Sequence, residues 1–253
     1  MRINLNWKIA GVQAPISTRL NFSRPQSPFQ SALSGATLIA MGFYNQHVLP
    51  RLVHFTCSQN PMMRQREKLV PLATGEVLEI GIGSGLNIPF YNTQKVTRLW
   101  GLDPSLEMWS IAQKSAREHQ LKTQFICSGA ESIPLDNNSL DTVLMTYTMC
   151  TIPDIRMALD EVKRVLKPDG KLLFCEHGCA PDKRVQRWQN RVNPLWRKLA
   201  GGCNLNRPIA SLLQQSGLIS HDLQTMYLPG WKPASFNYWG TAGLATKKSH
   251  VTL

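Results

Sequence analysis

The sequence predicts a doubly wound α/β domain: seven strands in one mostly parallel sheet, the last strand reversed, with a helical extension in front. Three observations predict it. From residue 76 onward, short apolar runs alternate with helical patterns, and such alternation builds a parallel sheet covered on both faces. The turn-rich Pro229-Gly230-Trp231-Lys232-Pro233 between the two final strand patterns is too short for a crossover and implies an antiparallel ending. Finally, 253 residues, 43% apolar and 17% charged, suffice for one core and exclude a wholly disordered or fibrous chain.

Residues 1–40 carry Arg2, Lys8, Arg19 and Arg24, many Ser and Asn, and Pro15, Pro25 and Pro28 without periodicity. They read as a disordered or non-native extension, with Met41 as an alternative start. Pro25 to Pro50 holds no Lys, Arg, Asp or Glu, but its polar residues dilute it below the roughly 20 apolar residues of a membrane span. Interfacial insertion around Phe29 to Tyr44 stays open. Residues 41–72 read as a helix–loop–helix cap punctuated by Pro50 and Pro61, ahead of a domain at 73–248. Strands are expected at Glu76–Ile80, Leu99–Leu102, Thr123–Cys127, Thr142–Thr146 and Lys171–Glu176, with helices at Leu86–Tyr91, Ser105–His119 and Ile155–Leu166 between them. A helix at Pro208–Ser216, capped by Asn206 and closed by Gly217, follows. Strands at His221–Tyr227 and Asn237–Ala245 complete the seven.

The net charge of +12 is not spread evenly. Met1 to Arg66 carries seven Lys or Arg and no acid, and Lys183 to Arg207 carries seven more, again without an acid. The basicity sits in two appendages, suited to anionic lipid, nucleic acid or an anionic substrate, or simply to solvent. The absence of any nucleic-acid module argues against nucleic acid. Six cysteines without a C-x-x-C pair indicate free thiols and a reducing, cytoplasmic compartment. Cys175, His177 and Cys179 alternate at strand period, but no fourth ligand is evident and no metal is expected.

The sequence Val77-Leu78-Glu79-Ile80-Gly81-Ile82-Gly83-Ser84-Gly85 places a carboxylate at the end of a buried strand and three alternate glycines after it. Leu86 stands where a dinucleotide fingerprint needs glycine. Glu79 welcomes a cation and repels a pyrophosphate. Asp103, at the end of the second strand, is placed to accept both hydroxyls of a ribose. A nucleoside with a cationic group and no phosphates fits this pair, and S-adenosylmethionine is such a molecule.

With Gly101-Leu102-Asp103-Pro104-Ser105, Ala130-Glu131-Ser132-Ile133-Pro134-Leu135, Ser139-Leu140-Asp141 and Leu166-Lys167-Pro168-Asp169-Gly170-Lys171, the chain resembles the class I S-adenosylmethionine-dependent methyltransferases and their Rossmann-like sheet, from about Thr74 to Thr246. The resemblance implies that Glu79, Gly81, Ile82, Gly83 and Gly85 surround the methionine end of the cofactor, Asp103 and Pro104 the ribose, and Ala130 and Glu131 the adenine edge, with Thr146 nearby. Gly129 stands where many relatives carry Asp, which removes a side-chain contact to the adenine. Glu176-His177-Gly178, Trp188, Pro194, Trp196, Gly202-Cys203-Asn204-Leu205-Asn206-Arg207 and Met149-Cys150-Thr151 are similar to the small-molecule thiol S-methyltransferases and their bacterial relatives.

That similarity implies a small lipophilic acceptor, a thiol first; a quinone-like ring, phenol or lipid amine is the alternative, and so is a non-catalytic cofactor-binding protein. A third class, methylation of RNA, would use the basic stretches. A thiol must lose its proton to act as nucleophile. His177, Glu176 and Tyr147 are candidates for that duty, with His177 favoured as base or acceptor-orienting residue; a structural histidine explains it equally well. Asn204 and Arg207 either orient the acceptor or serve the local fold. Trp188, Val192, Leu195 and Leu199, interleaved with Arg184, Arg187, Arg191, Arg197 and Lys198, read as an amphipathic lid interrupted at Pro194, or as an ordinary packing helix. Its basic, Trp-containing segment 183–207 would make a peripheral membrane contact.

Overall fold

The computed structural model describes Tyr44 and residues 48–245. The extension expected at 1–40, most of the Phe29–Tyr44 segment and residues 246–248 fall outside the described residues. Two helices come first, α1 (Leu49–Cys57) and α2 (Asn60–Leu69), each with a proline in its first turn, where the missing N–H costs nothing. A turn of 3-10 helix at Val70–Leu72 leads into β1 (Gly75–Ile80).

The order continues β2 (Val96–Leu102), α3 (Trp109–Glu118), β3 (Thr123–Ile126), β4 (Leu140–Thr146), α4 (Ile155–Val165), β5 (Leu166–His177) and α5 (Lys183–Leu199). It closes with α6 (Ile209–Gln215), β6 (Leu218–Ser220), β7 (Gln224–Tyr227), the single turn α7 (Lys232–Ser235) and β8 (Phe236–Leu244). The sheet runs β3-β2-β1-β4-β5-β8-β6, with β7 also on β8. The pairs among β1 to β5 are parallel, and β8 is antiparallel to β5, β6 and β7. β8, the last strand in sequence among the described residues, is thus the one reversed strand, as the sequence predicts.

Eight strands replace seven because the strand expected at His221–Tyr227 is shortened to β7 and a further short strand, β6, precedes it. β6 pairs with Ala242–Leu244 and β7 with Phe236–Trp239 along one edge of β8; between them a Cβ on Gly240 would lie 2.3 Å from Asp222 O, so the backbone crosses too closely for a regular ladder.

Other departures have local causes. The helix expected at Leu86–Tyr91 is a 3-10 turn at Ile88–Phe90: Pro89 offers no N–H, and the turn keeps bonds from Phe90 N to Asn87 O and Tyr91 N to Ile88 O. The helix expected from Ser105 begins at Trp109; in the loop before it the Ser105 N–H donates to Asp103 Oδ1 at 2.9 Å. Pro194 does not interrupt α5, which runs 17 residues through it; buried Gln189 and Asn193 pin the preceding turns. Asn206 does not cap α6. Pro208 occupies that position without a side-chain bond, and Asn206 donates to Asn190 Oδ1 at 2.8 Å instead.

The strands alternate between two apolar layers. Leu78, Val143, Met145, Leu172 and Phe174 pack with α4 and α6 through Leu159, Val162 and Leu213, while Val77, Leu99, Leu144 and Leu173 pack with Leu69, Ile88 and Ala112 on the other face. Between β1 and β4 the strand order reverses, and the carboxyl ends of the strands part there to leave a crevice.

Candidate active site

The crevice is a cleft of about 400 Å³ lined by Glu79, Gly81, Ile82, Gly83, Asp103, Pro104, Ala130, Glu131 and Thr146. These are nine of the ten positions expected to surround a cofactor. Gly85 is the exception: it has φ +79, and a Cβ there would lie 2.5 Å from Ile88 Cδ1 and 3.0 Å from Ala112 Cα. Its role is to let the loop pack against α3. Gly81 has φ +76, and a Cβ there would lie 2.2 Å from Thr148 Oγ1, so only glycine keeps the chain this close to the end of β4.

Glu79 is 2% exposed. Asn87 Nδ2 donates to its Oε1 at 2.9 Å and Tyr91 OH to its Oε2 at 2.8 Å. Arg66, buried on α2, donates through Nη1 to Asn87 Oδ1 at 2.7 Å and to Thr146 Oγ1 at 2.5 Å. Burial pushes the Glu79 carboxyl up to about 7, against the pull of Tyr91, Arg66 and Asn87. Its donors therefore leave the charge under-compensated, and a cation in the cleft would complete it. Asp103 accepts from Gly83 N through Oδ2 and from Ser105 N through Oδ1, both at 2.9 Å; burial raises its pKa also, with these two bonds opposing. Both carboxylates are thus fixed by the fold, and the residues fit a nucleoside that carries a positive charge.

The other candidates are placed differently. Tyr147 lines the cleft with φ +54, a strained conformation for a bulky residue, and the Arg66 guanidinium lies 5.2 Å from its ring centroid. Burial first of all holds its phenol well above the usual range, so it is no base near neutrality. Glu176 is fully buried and pushed up to about 7 by burial; its Oε1 accepts from Thr148 N at 2.9 Å and Met149 N at 3.1 Å. His177 is not among the lining residues; its Nε2 is 3.2 Å from Cys203 Sγ. Burial alone would lower the His177 pKa, and Cys203 together with Glu176 raises it above the usual value. Cys203 is held well below the ordinary thiol range by the Cys150 thiol, with His177 adding to the effect.

Asn204 Nδ2 donates to Cys150 O and Gly202 O, both at 2.9 Å, and Arg207 donates to Met149 O and Ile152 O. These two residues clamp the loop after β4 and leave the cleft to others. The alternating trio does not assemble either: Cys175 Sγ faces Tyr147 OH and Asn237, and Cys179 Sγ faces Ala180 O.

Sequence reading missed Arg66, Asn87 and Tyr91, which complete the Glu79 network, and α1, whose Leu49, Pro50, Val53, His54 and Cys57 line the cleft. His54 Nδ1 lies 2.6 Å from Ser84 Oγ and ties α1 to the glycine turn. The available signal was Arg66 itself, three positions before buried Leu69 on the inward stripe of an amphipathic helix.

The model of the methyltransferase domain family matches residues 78–174. Thiol S-methyltransferase TMT1B of Rattus norvegicus is 29% identical over 164 residues, 64% of this chain and 65% of that one, so the match spans just under two thirds of the rat protein. Thiol S-methyltransferase TMT1B of Homo sapiens is 30% identical over 177 residues, 67% of this chain and 72% of that one. The chain belongs to the S-adenosylmethionine-dependent methyltransferases. In this methyltransferase the cleft lies at the crevice of the family fold: the crystal structure of geranyl diphosphate C-methyltransferase from Streptomyces coelicolor, itself a complex with S-adenosyl-L-homocysteine, superposes with a TM-score of 0.58 at 16% identity over 72% of this chain and 79% of that one. The methyltransferase takes S-adenosylmethionine as its cofactor, and three carboxylates, Glu79, Asp103 and Glu131, line the cleft.

Proposed function

We propose that the protein transfers the methyl group of S-adenosylmethionine to a small lipophilic thiol. One observation carries the reading: the segments similar to thiol S-methyltransferases, Met149-Cys150-Thr151, Glu176-His177 and Cys203 to Arg207, converge beside the cleft, and the relatives that share this chain's sequence are named for thiol S-methylation. A quinone-like ring, phenol or lipid amine is the alternative acceptor.

In this reading Glu79 receives the cationic methionine end, Asp103 the ribose, and Ala130 with Glu131 the adenine edge. The bound cofactor supplies an electrophilic methyl on a sulfonium. The chain's task is then to hold the acceptor in line and keep water out. Val53, Cys57, Ile152 and Pro153, two of them on α1, give the acceptor an apolar wall. Arg66, 4% exposed and facing the cleft, supplies the positive potential that favours a thiolate. His177 acts at one remove, through Cys203.

The test is release of S-adenosylhomocysteine against an alkyl thiol, a phenol, a quinone precursor, a phospholipid amine and transfer RNA. Turnover with the thiol alone, lost in Asp103→Ala, is the expected result; turnover with another acceptor and none with thiols contradicts it.

The outer surface supports a second part of the reading, a peripheral contact with anionic membrane. Trp188, Leu195 and Leu199 share one face of α5, at intervals of seven and four, and are 59%, 64% and 55% exposed among the helix's basic residues. No helix among the described residues is long and apolar enough to cross a membrane, so the contact would lie in the surface plane.

A further inference from the structure

The segments that carry the likeness to thiol S-methyltransferases lie outside the cofactor cradle, and the fold gathers them at one point. The ligand atoms of Cys150, His177 and Cys203 lie within 4.8 Å of one another. They come from three places: the loop after β4, the end of β5 and the turn after α5. That loop is clamped from three sides, by Glu176 on the Thr148 and Met149 N–H groups, by Asn204 on Cys150 O and by Arg207 on Met149 O and Ile152 O. Outer bonds of this kind fix ligands in position before a metal arrives. On the two residues at the end of β5, Glu176 Oε2 and His177 Nδ1 are buried without a hydrogen-bond partner among the described residues, so this corner of the fold holds polar capacity that the protein itself leaves unused.

We propose that Cys150, His177 and Cys203 bind one zinc-class divalent cation whose fourth position opens toward the cleft and takes the acceptor thiol. Two thiolates and an imidazole are a soft donor set that selects zinc over magnesium or calcium. Three protein ligands with an open position mark a catalytic zinc site, whereas structural sites are closed by four. Tetrahedral zinc with Zn–S bonds of about 2.3 Å holds its sulfurs about 3.8 Å apart, within a small side-chain adjustment of the observed cluster. The two thiolates neutralise the cation, and Glu176 and Arg207 offset one another nearby. Binding releases two protons to water, one from Cys150 and one held by the Cys203–His177 pair, with no change of oxidation state.

The open side is set by neighbours in the chain: Thr151, Ala200 and Gly201 line the cleft, as does Cys57. When the acceptor thiol coordinates, its S–H bond breaks, a metal–sulfur bond forms and the proton passes to cleft water; the electron pair stays on sulfur. This last step rests on the thiol reading, whereas binding of the metal does not.

The experiment measures the metal content of the full chain purified without chelator, then titrates the stripped protein with Co²⁺ and follows thiolate-to-metal charge-transfer absorption. About one zinc per chain is expected, with a cobalt band that is lost in Cys203→Ser and Cys150→Ser, kept in Cys179→Ser, and formed with roughly tenfold or weaker affinity in His177→Gln. A small thiol should shift the band and a phenol should leave it unchanged. A folded wild-type chain that takes no metal and shows no thiolate band overturns the site, even if it methylates thiols. A thiol-indifferent band in a thiol-methylating protein overturns the open position. If metal binds but thiols are not methylated, the site stands and the acceptor assignment falls.

Discussion

Glu79 is a buried carboxylate whose donors, Asn87 and Tyr91, do not offset the cost of its burial. Its pKa of about 7 lies above the ordinary carboxylate range, so in the free protein the group contributes less stability as pH rises from that range through 7. A cationic cofactor binds the ionised form, and its affinity must therefore fall as pH falls through about 7. Calorimetric titration from pH 6 to 8 checks the sign: binding should tighten toward pH 8, and Glu79→Gln should weaken it roughly 10–100-fold at pH 8, the worth of a charged hydrogen bond, and flatten the pH dependence. Gly81→Ala, with φ +76 and a Cβ against Thr148, should cost about 1–3 kcal/mol in urea unfolding. Glu79, the glycines and Asp103 were legible because strand ends and turns announce themselves locally. Arg66 and Tyr91 were not: the inward stripe of α2 marks Arg66 as facing the core, but its meeting with Glu79, like that of Tyr91, is made only when α2 and the 3-10 turn fold against the sheet.

Helix α5 shows what periodicity reveals about an element and what it conceals. Its amphipathic pattern is plain in the sequence, which leaves open a lid with its apolar stripe over the cleft or an ordinary packing helix. The structure turns the stripe outward. The helix is anchored by Gln189, whose Oε1 accepts from Ala180 N and whose Nε2 donates to Gly178 O, Leu205 O and Pro233 O, and by Asn193, which accepts from Leu205 N. Only the turn after it, Ala200 and Gly201, reaches the cleft. Polar side chains that satisfy loop backbone have outweighed apolar burial here, because unpaired backbone groups cost more than exposed leucines. Gln189→Ala should destabilise the protein by about 2–4 kcal/mol, since it leaves several buried groups without partners. Trp188→Ala should change the urea midpoint little but reduce sedimentation with anionic vesicles; equal binding of the two proteins to such vesicles would remove the membrane contact.

At the scale of the molecule, the doubly wound sheet with its one reversed strand followed from alternation and one short connection, both of which survive reading residue by residue. The pairing of β6 and β7 as separate strands on β8 did not, because it comes from a close approach between Gly240 and Asp222 that only the paired sheet creates. The Cys150, His177 and Cys203 cluster was hidden for the same reason: its members lie far apart in the chain, with none of the compact spacing of metal motifs, and they meet only when β4 and β5 pair and the turn after α5 packs beside them. Methyl transfer to a thiol is the reaction proposed for the cleft built on Glu79 and Asp103. It is tested most directly by mass spectrometry of the product formed from one lipophilic alkyl thiol and S-adenosylmethionine carrying a labelled methyl group. The account predicts the labelled methyl thioether from the wild type and its loss in Glu79→Gln and Asp103→Ala; a folded, cofactor-binding wild type that forms no thioether would contradict it.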